Sequence, residues 1–243
     1  MRIGILETGR PPETLKDKHG SYPDMFVALL KAASPELSFQ TFAALDGEVP
    51  DDPRACDGWL ITGSRHGVYE KLPWMLKLEQ LIRAAVNARV PVVGICFGHQ
   101  IMAEALGGKV VKSDKGWGLG LHEYEVAKPE AWMDGAGERF TIPAVHQDQV
   151  VDKPPGAEVI ASSRFCTYAA LAYDDVGLSF QGHPEFSEAY QRDLMEVRFK
   201  GLAPDEVIAA ATDSLVARTS DSAKAARWIG RFFLAHDPRR AAA

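Results

Sequence analysis

Cysteine is scarce in this chain: 243 residues contain three, Cys56, Cys96 and Cys166, an odd number with no C-x-x-C pair. That argues against a disulfide framework and against a structural zinc site, so a reducing compartment is expected. No apolar run approaches the roughly 20 residues of a membrane span. Basic residues are scattered rather than clustered, the net charge is -6 and the pI is near 5.7, so there is no electrostatic footprint for a polyanion. Neither nucleic acid nor membrane is an expected partner. Internal repeats are missing, and the one biased tract is the tail at 239 to 243, which should fray. The apolar stretch at residues 1 to 7 is too short for a signal peptide and reads as a first core strand. Together these absences point to a cytoplasmic protein.

What is present is an ample core. With 46% apolar and 25% charged residues, the chain can bury one sizeable α/β domain. Short apolar runs alternate with helical patterns: strands near 2 to 6, 38 to 43 and 59 to 62, and a helix near 22 to 33. A further helix opens at Pro73 and carries Leu78, Leu81, Ile82 and Ala85 on one face. Residues 91 to 95 read as a central strand, since the run does not alternate with polar residues, and 98 to 106 as the helix after it. This β-α-β-α order predicts a mostly parallel central sheet flanked by helices, a flavodoxin-like three-layer sandwich. Strand-like pieces at 109 to 112, 121 to 126, 158 to 161, 169 to 173 and 178 to 180 predict antiparallel additions to that sheet. After Ser187 the pattern is helical, with Tyr190, Leu194 and Val197 sharing a face, a segment opened by Pro204 and another over 222 to 234. Residues 201 to 243 are read as a helical C-terminal appendage packed on a domain spanning 1 to 200. Arg227, Trp228, Phe232 and Phe233 within it read as packing residues.

The stretch Gly94-Ile95-Cys96-Phe97-Gly98-His99-Gln100 carries the most chemistry. A strand entering a helix through G-x-C-x-G is the cysteine form of the nucleophile elbow, in which flanking glycines permit a turn too tight for a β-carbon. The turn lifts the sulfur to a helix N-terminus, where the dipole and free N–H groups favour thiolate and can hold an oxyanion, with the Phe97 N–H as natural donor. A thiolate needs an acid-base partner. In Gln181-Gly182-His183-Pro184-Glu185-Phe186, His183 lies just past the carboxyl end of a strand, where active sites of open α/β sheets gather. Glu185 can turn back to orient the ring. The alternative for each motif alone is bland: a small buried thiol, and a surface His and Glu flanking a turn.

Taken jointly, the two motifs resemble the triad-type class I glutamine amidotransferases, in particular the glutaminase domain of GMP synthetase and its stand-alone relatives, over about residues 1 to 200. The resemblance implies Cys96 as nucleophile, His183 as base and acid, and Glu185 as orienting carboxylate. Ile61-Thr62-Gly63-Ser64 resembles the turn that supplies the second oxyanion N–H, from Gly63; family members more often carry Gly-Gly-Pro there, and Ser64 would line the substrate pocket. Gln100 matches a position that holds the substrate's α-amino acid end, and i+4 on the elbow helix returns to the Cys96 face. Val145-His146-Gln147-Asp148 resembles a Ser-His-x-Asp segment lining the glutamine pocket, so His146, Gln147 and Asp148 join the substrate-binding candidates, with Val145 in place of the serine.

Other residues read as structural. Cys56 and Cys166 lack a partner at a motif spacing, and His66 reads as a solvated loop histidine. His122 and Glu123, adjacent on a strand, point to opposite faces and make a poor metal site; no metal or cofactor is implied. The run 116 to 120 lacks the context of a P-loop and reads as a turn near the pocket, with Trp117 a candidate lid.

The function expected is cysteine-dependent hydrolysis of a γ-glutamyl amide, glutamine to glutamate and ammonia through a thioester, either alone or supplying ammonia to a separate synthetase chain. The small-molecule substrate could instead be a γ-glutamyl peptide or metabolite, and a non-catalytic binding protein on the same fold is the third reading.

Overall fold

The computed structural model describes residues 1–237; the tail at 239 to 243 lies outside the described residues. Nine strands form the main sheet, in the order β2-β1-β3-β4-β11-β10-β9-β6-β7. Five of them run parallel: β2 (Ser38–Phe42), β1 (Arg2–Leu6), β3 (Gly58–Ile61), β4 (Val92–Ile95) and β11 (Gly177–Phe180). The other four, β10 (Ala170–Tyr173), β9 (Glu158–Ser162), β6 (Gly118–Val126) and β7 (Arg139–His146), extend it antiparallel. A separate ribbon pairs β5 (Lys109–Lys112) with β8 (Asp148–Asp152). Every residue of β3 and β4 is buried, as expected of parallel strands covered on both faces.

Helices cover both faces. α2 (Tyr22–Ala33) starts at a capping box in which Ser21 and Asp24 satisfy each other's backbone N–H groups, and buries Phe26 and Leu30 on one face. α3 (Pro73–Asn87) opens with Pro73 in its first turn and lays Leu78, Leu81, Ile82 and Ala85 on the opposite face beside α4 (Phe97–Ala105). A third cluster joins α1 (Glu13–His19), α5 (Glu188–Leu194) and α6 (Asp205–Ala217) around Leu119, Tyr190 and Leu215. No helix among the described residues is long and apolar enough to cross a membrane.

The C-terminal segment is more deeply integrated than an appendage. α7 (Ser222–Ala235) packs on α2, and its Trp228, Ile229, Phe232 and Phe233 are fully buried in the core that β1, β4 and β11 share. Arg227 is exposed and is not one of the packing residues. Asp221 ties the start of α7 to the outermost strand: its carboxylate accepts from Thr141 N–H at 2.9 Å and its own N–H donates to the Thr141 carbonyl at 2.6 Å.

Several elements depart from the sequence reading: β11, read as an antiparallel addition, runs parallel to β4, and β5 pairs with β8 in the separate ribbon instead of joining the main sheet. β6 begins at Gly118 rather than 121, so most of the presumed glycine turn is strand. β7, β8 and the short α1 carry no clear periodic signal, and Pro143 sits in the middle of β7. A proline there is tolerated because β7 is an edge strand, and its carbonyl instead accepts the N–H of His183 at 2.7 Å. Val197 is exposed instead of sharing the face of Tyr190 and Leu194. A π-helical turn over Met195–Phe199 inserts an extra residue into the helical repeat, so Phe199 takes the buried position.

Candidate active site

Three adjacent parallel strands end at one edge of the sheet. Ile61 of β3 pairs with Gly94 of β4, and Phe180 of β11 pairs with Ile95. This register delivers the turn at Gly63, the sulfur of Cys96 and the segment 181 to 185 side by side. Gly63, Cys96 and, from that segment, His183 face a cleft of about 290 Å³.

Cys96 caps α4 with φ 52° and ψ -101°, a conformation strained for any residue with a β-carbon. The flanking glycines make that turn sterically feasible. A β-carbon on Gly94 would come within 2.4 Å of the Gly98 carbonyl oxygen, and one on Gly98 within 2.4 Å of the Ile61 carbonyl oxygen. The Cys96 N–H donates to the Phe180 carbonyl at 2.8 Å, fixing the elbow to β11. Its sulfur lies 3.8 Å from the Val145 carbonyl oxygen and 3.7 Å from Gln181 Nε2. Phe97, the first residue of α4, has an N–H for which the helix offers no acceptor.

His183 Nδ1 stands 2.7 Å from Glu185 Oε1, and both side chains are almost wholly buried. The imidazole stacks on Phe186 at 4.1 Å with its plane nearly parallel. Burial pulls against a charged imidazole, but the attraction of Cys96 and Glu185 and their hydrogen bonds outweigh it and raise its pKa to about 10. Gly63 closes against this ring: a β-carbon there would be 2.7 Å from His183 Cε1. The Gly63 turn is buttressed from β1, as the fully buried Thr8 hydroxyl donates to the Thr62 carbonyl at 2.8 Å and the Thr8 N–H to the Thr62 hydroxyl at 3.0 Å.

The remaining sequence candidates all line the same cleft. Gln100 Nε2 donates to the Asp148 carbonyl at 3.0 Å and to Gln181 Oε1 at 3.2 Å. Asp148 takes a weak contact from the Tyr69 hydroxyl at 3.4 Å, and burial raises the pKa of its carboxyl. His146 is buried with Nδ1 3.3 Å from the Asp148 carbonyl; burial and then repulsion from His122 push its pKa down to about 3, which keeps it neutral. Ser64 accepts from the His66 N–H at 3.2 Å. His66 is not solvated as expected but half-buried, paired with Glu70 at 2.9 Å and edge-on to Trp74. Trp117 lines the cleft mouth edge-on to Phe199. Cys56 and Cys166 are buried elsewhere, and burial pushes both thiols up, Cys166 to about 12.

Sequence reading passed over Gln181, Tyr22, Tyr69, Lys112 and Arg198. Gln181 was findable: it follows a strand that pairs with the one preceding Cys96, so parallel register alone sets it beside the sulfur. The others arrive from elements far apart in the chain.

Residues 37–200 match the family model for glutamine amidotransferase class-I. γ-Glutamyl peptidase 4 of Arabidopsis thaliana is 34% identical over 190 residues, 75% of this chain and 73% of that protein. γ-Glutamyl peptidase 2 of the same plant is 29% identical over 221 residues, 88% of each chain. A glutamine amidotransferase structure from Thermotoga maritima superposes with a TM-score of 0.71 at 20% identity, covering 96% of this chain and 98% of that one, a likeness of fold. With a matched fold, a matched family model and relatives aligned through most of their length, the chain belongs to the class-I glutamine amidotransferase family.

Proposed function

We propose that this protein hydrolyses γ-glutamyl amide bonds, with Cys96 as nucleophile and a γ-glutamyl thioester as intermediate. Cys96 thiolate attacks the γ-carbonyl carbon, and the N–H groups of Gly63 and Phe97 take the oxyanion. As the C–N bond breaks, the imidazolium of His183 gives its proton to the departing nitrogen. The same imidazole then removes a proton from water, which attacks the thioester and releases glutamate, returning thiolate and imidazolium. Glu185 orients the ring and favours its charged form. Gln100, Ser64, His146, Gln147 and Asp148 form the wall for the γ-glutamyl end, where the neutral His146 is a positioning group.

The observation that carries this reading is the buried His183–Glu185 pair at 2.7 Å, whose imidazole shares the cleft with Cys96. Between the two substrate classes, the names of the relatives favour a γ-glutamyl peptide over glutamine with ammonia passed to a separate synthetase chain. Purified protein is expected to release amino acid from a γ-glutamyl dipeptide faster than ammonia from glutamine, and Cys96→Ala to abolish both while keeping the native circular dichroism. Preferential ammonia release would return the reading to a glutaminase. No turnover of either, with Cys96 unlabelled by a glutamine-like chloroketone, would favour a binding protein.

A further inference from the structure

The cleft continues past the imidazole along a wall that the hydrolysis itself does not use. Phe186, stacked on His183, begins it, Leu194, Arg198 and Phe199 extend it from α5 and the π-helical turn, and Leu202 adds to it from the turn that follows. Since His183 hands its proton to the departing nitrogen, a wall on the histidine side meets the leaving group rather than the γ-glutamyl moiety.

Three strong cations line the cleft, and two of them already have an acidic neighbour: Arg65 interacts with Glu70, and Lys112 with Asp148. Arg198 has no ion-pair partner among the described residues, although it is partly buried. Its guanidinium lies 5.9 Å from the centre of the Phe199 ring, which meets the edge of Trp117 at 5.0 Å. Leu202, 54% exposed, adds apolar surface at the mouth. A π-helical turn is rare and frequently sits at a functional site; here it is what puts Phe199 into the core and its neighbour Arg198 on the cleft wall.

We propose that Arg198 binds the carboxylate of an amino acid leaving group, so that the preferred substrate is a γ-glutamyl peptide with a free C-terminal carboxylate and an apolar side chain set against Leu202 and Trp117. A guanidinium fork is suited to a carboxylate, which it can grip through two parallel hydrogen bonds. Glutamine, whose leaving group is ammonia, gains nothing from it. The assignment rests on the hydrolase reading above.

Three substrates test it: γ-glutamyl-leucine, γ-glutamyl-leucinamide, and γ-glutamyl-p-nitroanilide, whose leaving group has no carboxylate. Wild-type kcat/KM is expected to favour the acid over the amide by about tenfold, mostly through KM, the size of one charge-assisted contact made equally in ground and transition states. Arg198→Met should bring that ratio to about 1, and Arg198→Lys should restore part of the preference. A preference that survives in Arg198→Met, or that the wild type lacks while it cleaves the nitroanilide, overturns the assignment alone. Inactivity on all three substrates overturns the hydrolase reading itself, and this assignment with it.

Discussion

At the scale of single residues, the site depends on a charge balance inside protein. An isolated imidazolium in so buried a position would lose its proton; the carboxylate of Glu185 at 2.7 Å and the sulfur of Cys96 reverse the preference. An unfolded histidine releases its proton near 6.5 whereas this one holds it to about 10, so the interaction stabilises the fold in full below pH 6.5. That contribution is lost as pH rises from there through about 10. Replacing Glu185 with Gln keeps a hydrogen-bonding group but removes the charge. The basic limb of kcat/KM is therefore expected to move to lower pH by about one unit or more in Glu185→Gln, with milder loss at neutral pH than in His183→Ala. A pH profile measured on both variants checks this; an unmoved basic limb would demote Glu185. Both residues were legible in the sequence, because Pro184 and the strand before them mark the segment. Gln181 was readable too, though only by extending the parallel register one residue beyond Phe180.

At the scale of elements, the elbow is a three-body contact among β3, β4 and α4. Gly94 and Gly98 allow the helix to start almost in contact with the strands, and the energetic counterpart is the strained backbone of Cys96. Gly98→Ala would drive a β-carbon to 2.4 Å from the Ile61 carbonyl, backbone that cannot swing aside as a flexible side chain could. The expected result is a destabilisation of about 1–3 kcal/mol by chemical denaturation and a fall in kcat/KM of about a hundredfold from displacement of the sulfur. Wild-type values for both would mean that the helix sits further from β3 than the packing requires. The strand-turn-helix grammar of this region is local, so it was readable. β7 and the π-helical turn were not: a mid-strand proline and an inserted residue break the periods on which such reading relies.

For the whole molecule, the last helix is as much core as the first strand. Trp228 is fully buried, donates its indole N–H to the Asp134 carbonyl at 3.0 Å and meets Phe140 edge-on at 5.1 Å. Trp228→Ala is expected to cost about 3–5 kcal/mol in urea unfolding, a loss that a loosely attached appendage would not produce. By itself the sequence determined the alternation of strands and helices, four of the five parallel strands, the elbow at Cys96 and the pairing of His183 with Glu185, because each is encoded by neighbours within a few residues; β11, read as an antiparallel addition, runs parallel. Only the tertiary structure decided that α7 completes the core and that Phe199 rather than Val197 turns inward. It alone brought Arg198 to the cleft, since these contacts join segments whose separation along the chain carries no periodic or compositional trace.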